Sequence, residues 1–300
     1  MALRNPRTGP VRPGLAPRLR ELASSFGREH LDTDPISFVH EARTPGGGEI
    51  AGLVASSLAF GNVAQIRRSV AAVLARVDPD HLAADGPPTG SERGLRALHG
   101  LRHRFVTGAD LAQVLLGALE IRRRHGSLGA RLAETFEATG GDLRETLTRW
   151  THEIRDAARG RRREIRRGAA YLLPDPALGS ACKRLHMYLR WMVRSDEVDL
   201  GLWEGVPKSA LLLPLDTHTS RISRYLGLTG RATVDWRMAE EVTTALRQID
   251  PEDPVRFDFA LSRLGILDRC PNRPVRELCR QCPLVDVCIV GWRRGGREGG

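Results

Sequence analysis

GEIAGLVASSLAFGNVAQIRRSVAAVLARV, residues 48–77, sets the fold class. Its apolar residues recur at the spacing of one buried helix, break at Gly61-Asn62, and resume as a second helix. Working outward, an amphipathic stretch covers 18–26, and the proline- and glycine-rich run 78–95 is expected to be a loop. Helical periodicity then predicts helices at 109–124, 128–138, 141–158, 180–194, 217–226, 235–248 and 254–265. Valine-rich alternation is missing, so no sheet is expected. The expected fold is all-α and essentially one unit. It comprises a flexible basic tail (1–17), a helical region (18–269), a cysteine loop (270–288) and a second flexible tail (289–300).

Composition narrows the function classes. The 300 residues are 41% hydrophobic, enough for a core, and carry a formal net charge of +10. With a pI near 10.3, a polyanionic partner such as nucleic acid is the expectation. Arginine dominates the basic residues; Lys183 and Lys208 are the two lysines. Where charge alone suffices this chain uses arginine, so a retained amine points to nucleophilicity, with chance retention the competing reading. The arginine-dense run RGRRREIRRG (159–168) reads as a solvated face before it reads as a phosphate strip. The opening MALRNPRTGPVRPGLAPRLR lacks the apolar core of a secretory leader, and no run has the length of a membrane span. A cytoplasmic, nucleoid-associated location is therefore expected, without membrane contact or an obligate protein partner.

Four of the five cysteines stand in one window: Cys270, Cys279, Cys282 and Cys288. In a reducing compartment, such clustering favours a metal centre over disulfides. A structural zinc site usually shows two C-x2-C knuckles, whereas this loop has one. A [4Fe–4S] cluster tolerates uneven spacing and is the preferred reading, with zinc the alternative. The fifth, Cys182, reads as a buried thiol.

The second signal is LLLPLDTHTSRISRYLGL (211–228), in which Asp216 follows an apolar run and precedes a helix with Ile222 and Leu226 at core spacing. By itself Asp216 reads as an N-cap. Together with the cysteine loop, this segment resembles the endonuclease III branch of the helix-hairpin-helix DNA glycosylases. There, a V-D-T-H-x-x-R-[VI] motif holds the catalytic aspartate, and C-x6-C-x2-C-x5-C binds a [4Fe–4S] cluster. Here the last two cysteine spacings match and the first is two residues longer. The SLAFGN, KRLHMYLRWMVR and PLDTH segments make the whole chain more similar still to a bacterial family of uncharacterised proteins related to those glycosylases. The L-P-G-V-G-x-K hairpin that precedes the aspartate in the glycosylases is absent; residues 198–218 carry only Gly201 and Gly205.

The resemblance implies a helix-hairpin-helix glycosylase-like helical bundle that excises bases from DNA carrying a damaged or flipped nucleotide. Asp216 would stabilise the cationic sugar of the transition state. Lys183, 33 residues upstream as in archaeal 8-oxoguanine glycosylases, would attack C1′ if burial lowered its pKa, adding lyase activity. Asn62 and Gln65 would fill the gap left by the flipped base, since SLAFGNVAQ sits where the glycosylases place a lesion-site loop. Arg184, Arg190, Arg194, Arg221, Arg224 and Lys208 would contact the backbone. Blander readings stand beside these: Arg221 and Arg224 in surface salt bridges, His218 as a packing residue, and Leu185, Tyr188, Leu189, Trp191 and Met192 as core. In the run 31–44, which contains acids and His40, the D-x-D-P motif reads as helix capping and not as a metal site. The competing class is a noncatalytic iron–sulfur nucleic-acid-binding protein that kept the glycosylase fold.

Overall fold

The computed structural model describes residues 9–84, 95–159, 164–267 and 270–290. These residues are mostly helical, as the periodicity predicts, and divide into two compact units. One combines Met1–Gly27 with Leu211–Gly300; the other is Arg28–Ala210. That division cuts across the single helical region expected over 18–269. The terminal unit opens with α1 (Leu15–Ser24), which buries Leu15, Leu19 and Leu22, so helix begins inside the expected 1–17 tail.

The central unit holds α2 (Ser37–His40), α3 (Pro45–Ser57), α4 (Val63–Leu74) and α5 (Pro79–Ala84). Helix α5 lies where only loop was expected; Asp78 caps it by accepting from the backbone of Asp80 and His81. A hairpin follows, β1 (Arg102–His103) against β2 (Val106–Thr107), too short to produce an alternating signature. Then come α6 (Gly108–His125), α7 (Leu128–Ala138), α8 (Leu143–Arg159), α9 (Arg167–Leu172) and α10 (Lys183–Val193). Helix α6 starts on a capping box between Thr107 and Asp110 and stops at Gly126, whose φ of 82° few other residues accept. Arg161, Arg162 and Arg163 of the arginine run lie outside the described residues.

Helix α3 is buried along almost its whole length and organises this unit. Its Glu49, 2% exposed, is fully engaged. Arg122 of α6 pairs with it, the Gly129 amide of α7 donates at 3.1 Å and the Trp203 indole at 2.6 Å. The Tyr188 hydroxyl of α10 donates to the Glu49 carbonyl at 2.8 Å. A charge inside an apolar helix is tolerated only with such complete pairing.

The terminal unit continues with α11 (Thr217–Tyr225), α12 (Trp236–Arg247), α13 (Asp258–Ile266) and a short α14 (Arg276–Gln281) inside the cysteine loop. Helix α11 packs on α13, where Gly265 leaves room for His218; a methyl group at 265 would overlap the His218 Cβ. Among the described residues no helix is long and apolar enough to cross a membrane.

Candidate functional site

The apolar run 211–215 is buried, and Asp216 marks the point where the chain turns into α11. The carboxylate Oδ1 accepts the His218 amide at 2.8 Å and the Thr219 amide at 2.9 Å. The Asp216 amide donates to the Thr219 hydroxyl at 2.8 Å, completing a capping box. Half-buried Asp216 is thus a rigid anion on the positive end of a helix.

One turn along α11, Arg221 donates to the Cys270 carbonyl at 2.6 Å, to the Asn272 side chain and to His218 Nδ1 at 3.3 Å. The Tyr225 hydroxyl donates to the Asn272 carbonyl at 2.7 Å, and the Ile289 amide donates to the Tyr225 carbonyl at 2.8 Å. The Cys270 amide reaches back to Leu264 of α13. Helix α11 therefore holds the aspartate at its first turn and both ends of the cysteine loop along its later turns. Buried Leu284, Val285 and Val287 fasten the loop from inside.

Cys270, Cys279, Cys282 and Cys288 are all reduced and half-buried. Burial pushes the Cys270 thiol up to about 11; nearby Arg221 pulls it down while Cys282 and Cys288 push it further up. Burial likewise raises Cys282, which also feels Cys288 and Cys279. The four sulfurs thus share one electrostatic neighbourhood. Among the described residues no three His, Cys, Asp or Glu side chains are arranged as metal ligands. Four thiols gathered in this way would, if ionised together, need a cation to compensate their charge.

A family model described as protein of unknown function (DUF2400) matches residues 34–267. The chain belongs to that family. The match takes in Lys183 and Asp216 and stops before Cys270. No curated protein and no solved structure matches the chain.

In this DUF2400 member the arginines expected on a phosphate backbone are largely committed inside the fold. Arg190, 4% exposed, pairs with Asp199 at 3.1 Å. Arg194 bridges Asp196 and Asp199 at 2.6 and 2.8 Å. Arg184 donates to the carbonyls of Ser57 and Tyr171, and burial lowers its pKa. Arg224 donates to the carbonyls of Arg231 and Ala232 at 2.8 and 2.7 Å. Arg221 serves the cysteine loop. In place of the expected backbone contacts, Arg190 and Arg194 are spent on the carboxylates of Asp196 and Asp199, and Arg184, Arg221 and Arg224 on main-chain carbonyls. Glu240 accepts from the Trp236 indole at 2.8 Å.

Asn62 caps α4, its Oδ1 accepting the Ala64 amide at 2.9 Å, which commits the oxygen expected to read a base. Gln65 is half-buried on the wall of a cleft of about 280 Å³. Lys183 is half-buried at the first turn of α10, behind Cys182, which takes the left-handed conformation with φ 44°. Cys182 is buried, as expected, and burial raises its thiol to about 11. Lys208 is exposed on a single 3₁₀ turn between α10 and α11. Apart from that turn and an antiparallel bridge between Ser195 and Leu200, residues 194–216 form no helix or strand. His40 Nε2 donates to the Val198 carbonyl at 2.8 Å, and Asp34 of the D-x-D-P run accepts the Ile36 amide at 3.1 Å.

Sequence reasoning missed the Glu49 hub and the Arg221 tether. The first had a signal, one acid in an apolar helix. The second had none, since the partners are backbone atoms far along the chain.

Proposed function

We propose that this protein binds DNA and acts in base excision, with Asp216 as the catalytic carboxylate. The observation that carries the reading is the capped Asp216 on a helix whose Arg221 is bound to the cysteine loop. An anion preorganised in this way can stabilise the positive charge that develops on a deoxyribose as its N-glycosidic bond breaks. With water as nucleophile, oxygen attacks C1′ while Asp216 takes its proton; the C1′–N bond breaks with its electron pair on the nucleobase, which that proton then neutralises. Lys183 is the amine proposed for strand cleavage: its Nζ would displace the nucleobase, form an imine and permit β-elimination of the 3′ phosphate. Cys270, Cys279, Cys282 and Cys288 would hold a [4Fe–4S] cluster. Such a cluster, when bound, would crosslink the loop and offset the thiolate charges.

Asp216→Asn tests the reading. It keeps the cap and should abolish base release from damaged duplexes while leaving DNA affinity within about twofold, because asparagine caps as well as aspartate. Equal loss of affinity would make Asp216 a cap alone. For Lys183, borohydride trapping on a duplex with one abasic site, with the N-terminal amine blocked, should give an adduct that Lys183→Ala loses and Lys208→Ala keeps.

A noncatalytic nucleic-acid-binding protein is the second reading. The same Oδ1 already accepts two backbone amides, and no glycine hairpin precedes it. Wild-type binding without base release from any damaged duplex would favour it.

A further inference from the structure

The β1–β2 hairpin closes on two residues, Arg104 and Phe105, with Arg102 opposite Thr107 and His103 opposite Val106. Arg104 takes φ 54°, a position that glycine ordinarily fills in so tight a turn. Its side chain packs over Gly61, where a Cβ would come 3.1 Å from the guanidinium. His103 and Val106 point inward, 4% and 1% exposed, and His103 is pinned by Ser69 at 2.8 Å and the Phe60 carbonyl at 3.0 Å. The hairpin thereby turns Phe105 outward, 54% exposed.

Phe105 does not stand alone. Tyr171, at the end of α9 and 41% exposed, lies 4.7 Å from it, ring centroid to ring centroid, at 71°. Phe60 lies 5.7 Å from Phe105 and 5.1 Å from Tyr171. Arg184 sits over the faces of Tyr171 and Phe60 at 4.5 and 5.2 Å, fixing both rings. Three distant chain segments are thus gathered into one exposed aromatic surface, framed by exposed Arg102 and Arg104. The same hairpin supplies a wall of the 280 Å³ cleft, with Gln65 and Arg68 also on its lining.

We propose that this aromatic surface stacks an unpaired nucleobase, with Arg102 and Arg104 on the adjoining phosphates. Inside a duplex both faces of a base are covered by its neighbours, so an outward-facing ring stacks most readily on a base free of the helix. Flanking cations match a phosphate chain, and the net charge of +10 adds long-range attraction. A strained, rigid turn keeps the ring presented rather than folded back. That the strand is DNA rests on the function proposed above; the stacking itself rests on the rings.

The test uses full-length protein and a single-stranded oligodeoxynucleotide carrying one 2-aminopurine, beside a fully paired duplex of the same sequence. Wild type should change the 2-aminopurine fluorescence on binding. Phe105→Ala and Tyr171→Ala should each weaken single-strand binding by about tenfold and reduce the fluorescence change, with duplex affinity within about twofold. Phe105→Trp should restore stacking; both ring positions are exposed, so circular dichroism should show wild-type helix throughout. Unchanged single-strand affinity in Phe105→Ala, or an equal loss on duplex, overturns the inference, as does a wild type that binds neither strand. A base-release assay run beside the stacking assay separates the two readings. Stacking without base release in wild type sinks the excision proposal and leaves this one standing, whereas base release with an inert Phe105→Ala does the reverse.

Discussion

Asp216 has two separable duties, and substitution distinguishes them. Asp216→Ala removes an acceptor for two backbone amides and should cost about 1 kcal/mol in urea denaturation, whereas Asp216→Asn should stay within about 0.5 kcal/mol of wild type. His186 reports on burial. Fully enclosed on α10, its imidazole is pushed down to about 3 from an ordinary 6.5. The unfolded chain therefore binds an extra proton between those values, and stability falls as pH drops below about 6.5. Burial lowers His103 in the same direction. From pH 6.5 to 5 the His186 contribution is about 2 kcal/mol, so melting temperatures measured at pH 7 and 5 should differ less in His186→Leu than in wild type.

At the scale of elements, close helix approach depends on particular small residues. Gly117 of α6 faces the Ile154 carbonyl and Ala158 of α8, and a methyl group there would overlap that carbonyl. Gly117→Ala should therefore destabilise the central unit by about 1–3 kcal/mol despite its better helix propensity, measured by thermal denaturation. Glu49→Gln leaves Arg122 buried beside a neutral amide and should cost about 3–5 kcal/mol in the same assay. Arg122→Met alone would strand the carboxylate and should cost a similar amount. A loss below about 1 kcal/mol in either variant would mean that the hub is not a sealed ion pair.

At the scale of the whole molecule, the two units should respond differently to the cysteine loop. If the four thiolates hold a metal centre, reconstitution with iron and sulfide under anaerobic conditions should produce a brown chromophore. Cys279→Ser should reduce it, and chelation should lower a calorimetric transition belonging to 211–290 while one belonging to 28–210 persists. Protein that takes up zinc and no chromophore would instead assign a zinc site. DNA affinity should fall steeply with salt, because each phosphate that a cationic side chain neutralises releases a counterion. A flat salt dependence would remove the polyanion from the argument.

Local chemistry was legible in advance. Helices α3 and α4 with their break at Gly61-Asn62, the Asp216 cap, the buried Cys182 and the clustered cysteines each depend on neighbours a few residues away, which periodicity and capping rules read directly. The two-residue strands and α5 were not legible, being shorter than the window in which a period can be counted. The partners of the arginines were not legible because folding alone brings them close: the carbonyls of Cys270 for Arg221 and of Ser57 and Tyr171 for Arg184, and the Asp199 carboxylate for Arg190. Sequence alone determined the helical class, the charge and the clustering of four cysteines, since composition and short-range spacing encode them. Only tertiary structure decided which cations remain outside, how α11 joins the aspartate to that loop, and that Phe60, Phe105 and Tyr171 form one surface. Those facts are contacts between distant segments, chosen by packing and by the need to satisfy every buried polar group.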